Sequence, residues 1–564
     1  MFIRWTTLSV LAVAVGGVVQ PPQRPDLDTQ LFGDTLDALR VMQDEYFQPW
    51  VGTWPTAIDW TAAVMGTHVA GALHSLSGGL EVLQANGIND FDASENLISL
   101  YYSQLIGFYF GQDAFSLRNQ AFDDMLWVVL GWLDAIKFAK IHSRTHYKSF
   151  PPSSQRPAKS QRLQGWHGNV WLPAFSHRAR VFWHLASAGW DTQLCGGGMN
   201  WNPKLMPYKN AITNELYISA SAAMYLHFPG DWNTSPYNTK DEPEPVTPKN
   251  WPPRDPKYKI AAVDGHRWLA SSNMTNQQGL YADGFHISGY RPGSNRTSCD
   301  ERDEMVYTYN QGTILTGLRE LFYITGDANY LEEGHRLIRA VIRATGWNMG
   351  SNTPFQGRMV LQPGNLPKWY GLGRAGVLED ACDVAGDCSQ DAQTFKGIWM
   401  HHFTTFCMPL EYPLDGEFDG GKPDPKVQDR HAKSQIQECK RYTAWLEHNA
   451  NAARSTRDHE GRFGMWWTAG LLRGTTTFNL HITPEDVPDP NGAVDYRNDG
   501  VPNDPMWLLA PVISRPEDKK QRPMMHKRDA FAADVNNRGR GRTVETQSGG
   551  LALLRALWEI SRLP

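Results

Sequence analysis

Apolar residues recur three and four positions apart over twelve stretches: 30–46, 57–78, 95–113, 122–142, 171–188, 209–228, 258–271, 308–325, 328–345, 394–410, 432–454 and 548–561. This period predicts helices. Long alternating runs of β-branched residues are scarce, so the expected fold class is all-α. Connections rich in Pro, Gly and Asp separate the helices at 229–257, 347–392, 411–431 and 471–547. They are far longer than a simple bundle needs, and loops of that length in a compact protein commonly carry function. Two helices end alike, "SASAAMYLHFPGD" and "LTGLRELFYITGD", each running into an aromatic and then Gly-Asp. Such internal similarity points to a copied helical hairpin. Twelve helices taken as six hairpins predict a closed toroid in which every second helix lines the inside.

If the even-numbered helices are the inner ones, their starts read Ile58-Asp59-Trp60, Phe122-Asp123-Asp124, Lys209-Asn210-Ala211, Tyr309-Asn310-Gln311, Phe395-Lys396-Gly397 and Thr546-Gln547-Ser548. All six would lie on one face. Helix starts present free N–H groups and a partial positive charge. Here they also carry amides, hydroxyls and carboxylates beside aromatic rings, a mixture suited to a polyhydroxylated ligand. Asn210, Asn214, Tyr309, Asn310 and Gln311 are candidate partners for sugar hydroxyls, although Asn at a helix start is equally an ordinary cap. Lys396 either meets a carboxylate of the site or solvates its rim, and Gly397 suits close helix packing.

Asp123 and Asp124 open the helix "FDDMLWVVLGWLDA". Acids at a helix start gain about 0.3–1 kcal/mol from its dipole, which would explain them without any chemistry. A pair of carboxyl groups is also what glycoside hydrolysis requires, about 5–5.5 Å apart for retention of configuration and about 6.5–9.5 Å apart for inversion. Adjacent residues at an irregular helix start lean towards the shorter spacing. Mutual repulsion, together with the apolar wall of Phe122, Leu126 and Trp127, splits the two pKa values so that one group stays ionised and the other keeps its proton. Which is which does not follow from this reasoning. Trp127 is also a candidate face for stacking on a sugar.

Composition narrows the field further. The 564 residues carry a formal charge of −5, and no cluster of Lys and Arg is interleaved with aromatics, so nucleic acid is not an expected partner. "LSVLAVAVGGVV" behind a basic start reads as a signal peptide over 1–20, leaving 21–564 as a single secreted domain. No other stretch suits a membrane span, the end "LRALWEISRLP" lacks the tail of a lipid anchor, and a monomer is expected. Six cysteines fit an oxidising compartment, with Cys382–Cys388 across a short turn and Cys407–Cys439 as the expected pairs. Asn233, Asn273 and Asn295 head glycosylation sequons. No zinc-type spacing occurs, His401-His402 gives little support for a metal with one ring expected to face outward, and no metal or other cofactor is expected. "GLGRAG" at 371–376 has the glycine spacing of a dinucleotide loop but neither the preceding strand nor the following helix, and reads as a plain loop.

Several segments together resemble glycoside hydrolase family 76, the α-1,6-mannanases: "AFDDMLWVVLGWLDA", "CGGGMNWNP" with "YKNAITNELYISASAAMYL", "YTYNQGTILTGLRELFYITGDANYL", "CSQDAQTFKGIWMHHF" and "ETQSGGLALLRAL", spread over roughly 95 to 560. The resemblance implies an (α/α)6 barrel and a retaining, endo-acting hydrolase of α-1,6-mannan without a metal. It also implies Asp123 as nucleophile, Asp124 as acid/base and Asp283 in "YADGF" as a substrate-binding carboxylate. The length of 471–547 and "LHFPGD" in place of Thr-Gly-Asp depart from the family pattern and bear on cleft shape and chain length. Two alternatives stand beside this reading: a cell-wall mannan transglycosylase using the same pair, and a catalytically inactive carbohydrate-binding protein.

Overall fold

The structure is a computed structural model that describes residues 27–80, 91–147, 165–231, 251–357, 366–410, 424–471, 487–488, 490–498 and 534–564. Its long helices are α1 (Leu27–Tyr46), α2 (Asp59–Gly78), α3 (Phe91–Gly111), α4 (Phe122–His146), α5 (Leu172–Ser187), α6 (Ala211–His227), α7 (Pro256–Ser271), α8 (Thr313–Thr325), α9 (Asn329–Ala344), α10 (Gln390–Cys407), α11 (Pro425–Lys440), α12 (Thr443–Arg454) and α13 (Val544–Ser561). α2 packs on α4, α4 on α6, α6 on α8, α8 on α10, α10 on α13, and α13 returns to α2. The ring is therefore closed. Against its outside lie α1 on α13, α3 on α2, α5 on α4, α7 on α6, α9 on α8 and α12 on α13. The all-α toroid and the alternation of outer and inner helices expected from the sequence are both present.

The inner helices are buried nearly all round, as helices enclosed by a second layer must be. Small residues let them approach closely. A Cβ on Gly397 of α10 would lie 3.0 Å from the Cα of Gly549 in α13, and one on Gly317 of α8 would lie 2.7 Å from Ser219 Oγ in α6. Outside the ring, α9 is sharply amphipathic, with Leu331, Leu337, Ile338 and Val341 turned inward.

Polar caps, invisible to a hydrophobic pattern, start α10 and α13 a turn earlier than expected. Ser389 Oγ accepts from Ala392 N at 3.2 Å, and Thr543 Oγ1 accepts from Thr546 N at 3.4 Å. The stretch 432–454 is not one helix but parts of two, α11 and α12. The chain turns at Arg441-Tyr442, where Cys439 is tied to Cys407 and the buried Tyr442 hydroxyl meets His335 Nδ1 at 2.9 Å. Cys382–Cys388 and Cys407–Cys439 pair as expected, and Cys195–Cys299 is the third disulfide. His401 and His402 are both buried, so neither faces outward: His401 Nε2 meets Asp134 at 3.0 Å and His402 Nδ1 meets Thr316 at 2.7 Å. Residues 371–376 turn between the short strands Gly373–Arg374 and Val377–Leu378, with Ala375 and Gly376 at φ of 50° and 82°, a tight hairpin with no helix behind it. Asn273 and Asn295 are exposed, whereas Asn233 and the signal-peptide stretch 1–20 lie outside the described residues. Among the described residues no helix is long and apolar enough to cross a membrane.

Candidate active site

The starts of the inner helices meet at one end of the ring and are laced together. Trp60 Nε1 in the first turn of α2 donates to Asp391 Oδ1 of α10 at 2.8 Å, while Thr61 and Gln390 both donate to Glu545 Oε1 of α13, at 2.9 and 2.8 Å. Strand β1 (Tyr208–Asn210), leading into α6, pairs antiparallel with β2 (Gly284–His286), and β2 with β3 (Glu301–Asp303). This small sheet carries Asp283 into the same end.

The start of α4 is fixed by the glycine-rich turn before β1. Cys195, Gly196, Gly197 and Gly198 all have positive φ, and Gly197 and Gly198 lie so close to the Trp268 ring that a Cβ on either would fall within 3.0 Å of it. The turn then delivers Trp201, whose carbonyl accepts from Phe122 N at 2.8 Å and whose N–H donates to Tyr208 O at 2.9 Å. Asn214 clamps the turn from α6, its Oδ1 accepting from Met199 N at 2.7 Å and its Nδ2 donating to Asn210 O at 2.8 Å. The buried Lys209 donates to Gly198 O at 2.6 Å.

On this support Asp123 and Asp124 stand in different surroundings. Asp123 is 3% exposed; its Oδ1 accepts from Asp124 N at 3.1 Å, and its Oδ2 lies 3.4 Å from Arg497 Nη2. Asp124 is partly exposed, and its Oδ2 accepts from Ala121 N at 3.1 Å, capping the helix. Burial pushes the Asp123 carboxyl up to about 6, with the Arg497 charge pulling the other way. Burial and then the charge of Asp123 raise Asp124 well above the ordinary carboxylate range. The pair is thus biased towards an ionised Asp123 beside a protonated Asp124.

Arg497 comes from the long connection after α12. Its guanidinium stands 5.1 Å from the Trp201 ring centre and 5.7 Å from that of Tyr309. Burial opposes its charge, yet Tyr309, Asp123, Asp283 and Asp391 together hold its pKa well above the ordinary value. The segment carrying it is strapped across the mouth: Val494 N donates to Asp303 Oδ1 at 2.9 Å, Asp495 Oδ1 accepts from Tyr307 OH at 2.7 Å, and Asn498 Oδ1 accepts from Ser389 N at 2.6 Å.

The other candidates divide. Asp283 is buried, accepts from Tyr208 OH at 2.5 Å and Asn310 Nδ2 at 3.0 Å, and burial raises its pKa. Tyr309 is buried, stacked on Phe395 at 3.8 Å. Trp127 lies beneath the mouth, stacked on Trp60 at 5.8 Å. Asn210 caps α6 through Thr213 N at 3.3 Å. Gln311 is taken up wholly by main chain, accepting from Tyr281 N at 2.8 Å and donating to the carbonyls of Tyr281 and Tyr307 at 2.9 and 3.0 Å. Asn214 is similarly committed, so both residues hold the mouth in shape. Lys396 does not solvate a rim. It is buried, with Nζ 2.7 and 2.6 Å from the two oxygens of Asp383. Cys382, Asp383 and Cys388 have the composition of metal ligands, but both sulfurs are consumed in one disulfide.

Residues 253–417 match the model of glycosyl hydrolase family 76. Solved structures similar to the chain include an inactive variant of the α-1,6-mannanase GH76A of Salegentibacter sp. HEL1_6, with two consecutive aspartates replaced by alanine, in complex with an α-1,6-mannotetraose (14% identity, 94% of this chain and 99% of that one, TM-score 0.48). They include the family 76 glycoside hydrolase (mannosidase) Bt3792 from Bacteroides thetaiotaomicron (12%, 94% and 99%, 0.46) and Dfg5 from Chaetomium thermophilum in complex with glucosamine (14%, 96% and 93%, 0.47). No curated protein sequence matches the chain. The matched stretch contains Asp283, Tyr309, Asn310, Gln311 and Lys396; the acid pair and Arg497 lie outside it. Sequence reading missed Arg497, Trp201, Tyr208 and Asp391. Trp201 and Tyr208 sit in the quoted glycine-rich segment and its sequel, and Asp391 follows a Ser that caps a helix, so each had a local signal. Arg497 had none.

Proposed function

We propose that the protein is a secreted, retaining endo-hydrolase of α-1,6-linked mannan, in which Asp123 is the nucleophile and Asp124 the acid/base. The observation that carries this reading is the asymmetry of the pair: Arg497 stands against Asp123, while Asp124 bears the neighbour's negative charge. In the first step the Asp123 carboxylate bonds to the anomeric carbon as Asp124 gives its proton to the departing glycosidic oxygen. Asp124, now ionised, then takes a proton from a water that displaces Asp123. Strong hydrogen bonds from Tyr208 and Asn310 keep Asp283 in place at the side of the mouth, where it suits a sugar hydroxyl. Beside the strap, a cleft of about 320 Å³ bordered by Asn276, Gln278, Trp369 and Tyr370 offers an aromatic and amide lining of the kind that stacks on further sugar units.

The test is size-resolved product analysis on linear, debranched α-1,6-mannan. A descending ladder of oligosaccharides that Asp123→Asn lacks, while still binding the polymer, supports the proposal. Products longer than the substrate would replace it with transglycosylation. Binding without turnover by the wild-type chain would make it a carbohydrate-binding protein.

A further inference from the structure

A second cavity, of about 740 Å³, lies at the opposite end of the ring, walled by later turns of α2, α4, α6, α8 and α10 and by Arg555 of α13. Its size is that of a small-molecule site. Six Lys and Arg side chains line it against two carboxylates, Asp134 and Glu320. Both carboxylates are already engaged. Lys137 Nζ lies 2.5 Å from Asp134 and 3.7 Å from Glu320, His401 takes the other oxygen of Asp134 at 3.0 Å, and His227 meets Glu320 at 2.8 Å.

Cations at helix C-termini ordinarily answer the last carbonyls, and Arg319 does so here, donating to the carbonyls of Phe406, Met408 and Pro409 at 3.0, 2.6 and 2.8 Å. Lys140 and Arg555 are different. Neither makes an ion pair among the described residues. Lys140 donates to the carbonyl of His227 at 3.1 Å, and Arg555 donates to Ser75 Oγ at 3.0 Å and towards His401 Nδ1 at 3.3 Å. The imidazole of His74 lines the same cavity and has no hydrogen-bond partner among the described residues. Burial lowers the pKa of all three groups. Glu559 and Asp134 offset part of this at Arg555, but the lining as a whole sets six Lys and Arg side chains against two carboxylates, an excess of positive charge that an anion would balance.

We propose that this basal cavity binds a small phosphate-bearing anion, with Lys140, Arg555 and His74 as its donors. The three come from α4, α13 and α2, so an anion seated there bridges helices on both sides of the ring closure. A phosphate group has enough lone pairs to serve an ammonium, a guanidinium and an imidazole N–H together.

Isothermal titration of the whole protein with inorganic pyrophosphate tests it, against sodium chloride at matched ionic strength. One saturable site per chain is expected, with a raised melting temperature. Lys140→Ala, at the exposed rim, folds normally, keeps its activity on mannan and binds pyrophosphate about tenfold more weakly, as loss of one charge-assisted hydrogen bond predicts. His74→Phe weakens binding in the same direction. Arg497→Met, at the other end, leaves binding unchanged. The proposal is overturned if no saturable binding occurs, if Lys140→Ala binds as tightly as wild type, or if Arg497→Met abolishes binding.

Discussion

Replacing Arg497 by Met should move the acid limb of the pH–rate profile, and the size of the move follows from the geometry. Unit charges 3.4 Å apart attract by about 5 kcal/mol at an effective dielectric constant of about 20. The guanidinium spreads its charge over Tyr309 and Asp283 as well and is partly open to solvent, which reduces the share felt by Asp123 to about 2 kcal/mol, or about 1.5 pH units. Asp123 stands at about 6 with Arg497 in place and must be ionised to act as nucleophile. Without Arg497 it should ionise only around pH 7.5, about 1.5 units higher. The expected result is a fall in kcat/KM of about ten- to twentyfold at pH 6 that closes towards pH 8, because kcat/KM reports the ionisation of the free enzyme. Arg497→Lys should restore most of the wild-type limb. Initial rates on a linear manno-oligosaccharide across pH 4.5–8.5 would check this. An acid limb that stays where it is, with a uniform loss at every pH, would refute the assignment of Arg497 to Asp123 and make it a substrate contact instead.

Asp123→Asn should stabilise the fold at neutral pH: a carboxyl raised by burial from 3.8 to about 6 favours the folded state fully only below the unfolded value and loses that contribution as pH rises through 6. The variant should gain about 2–3 kcal/mol at pH 7 and almost nothing at pH 4 in urea unfolding. Lys396→Met leaves Asp383 buried without its partner, and should cost about 3 kcal/mol or more, with the loss growing above pH 7, since burial places Asp383 at about 7 even beside Lys396. Gly198→Ala forces a Cβ against the Trp268 ring at positive φ; a drop of about 2 kcal/mol in urea unfolding, with a parallel loss of turnover, would show that this turn positions α4.

The ring was readable because its signal is repetitive and apolar: six inner helices announced themselves by period, and the acid pair by standing at the head of one of them. What escaped had polar or discontinuous causes. Ser389 and Thr543 start α10 and α13 with hydroxyl caps that an apolar period does not register, and Tyr442 breaks a helix to reach His335 rather than at a Gly or Pro. Residue type located Lys396, Asn214 and Gln311 in the mouth but not their orientation, because an amide that holds a main-chain carbonyl and one that holds a sugar have the same chemistry. Arg497 lies 374 residues from Asp123 in a connection without periodicity, and only the folded chain brings them together.

The closed ring also has a kinetic meaning. α13 lies between α10 and α2, its Gln547 donates to the carbonyl of Ala38 in α1, and Arg497 reaches Asp123 from the connection just before it. During synthesis, therefore, α1, α2 and α10 wait with apolar flanks uncovered until Val544–Ser561 arrives. Contacts of such sequence separation form slowly, and their partly built states are exposed to aggregation.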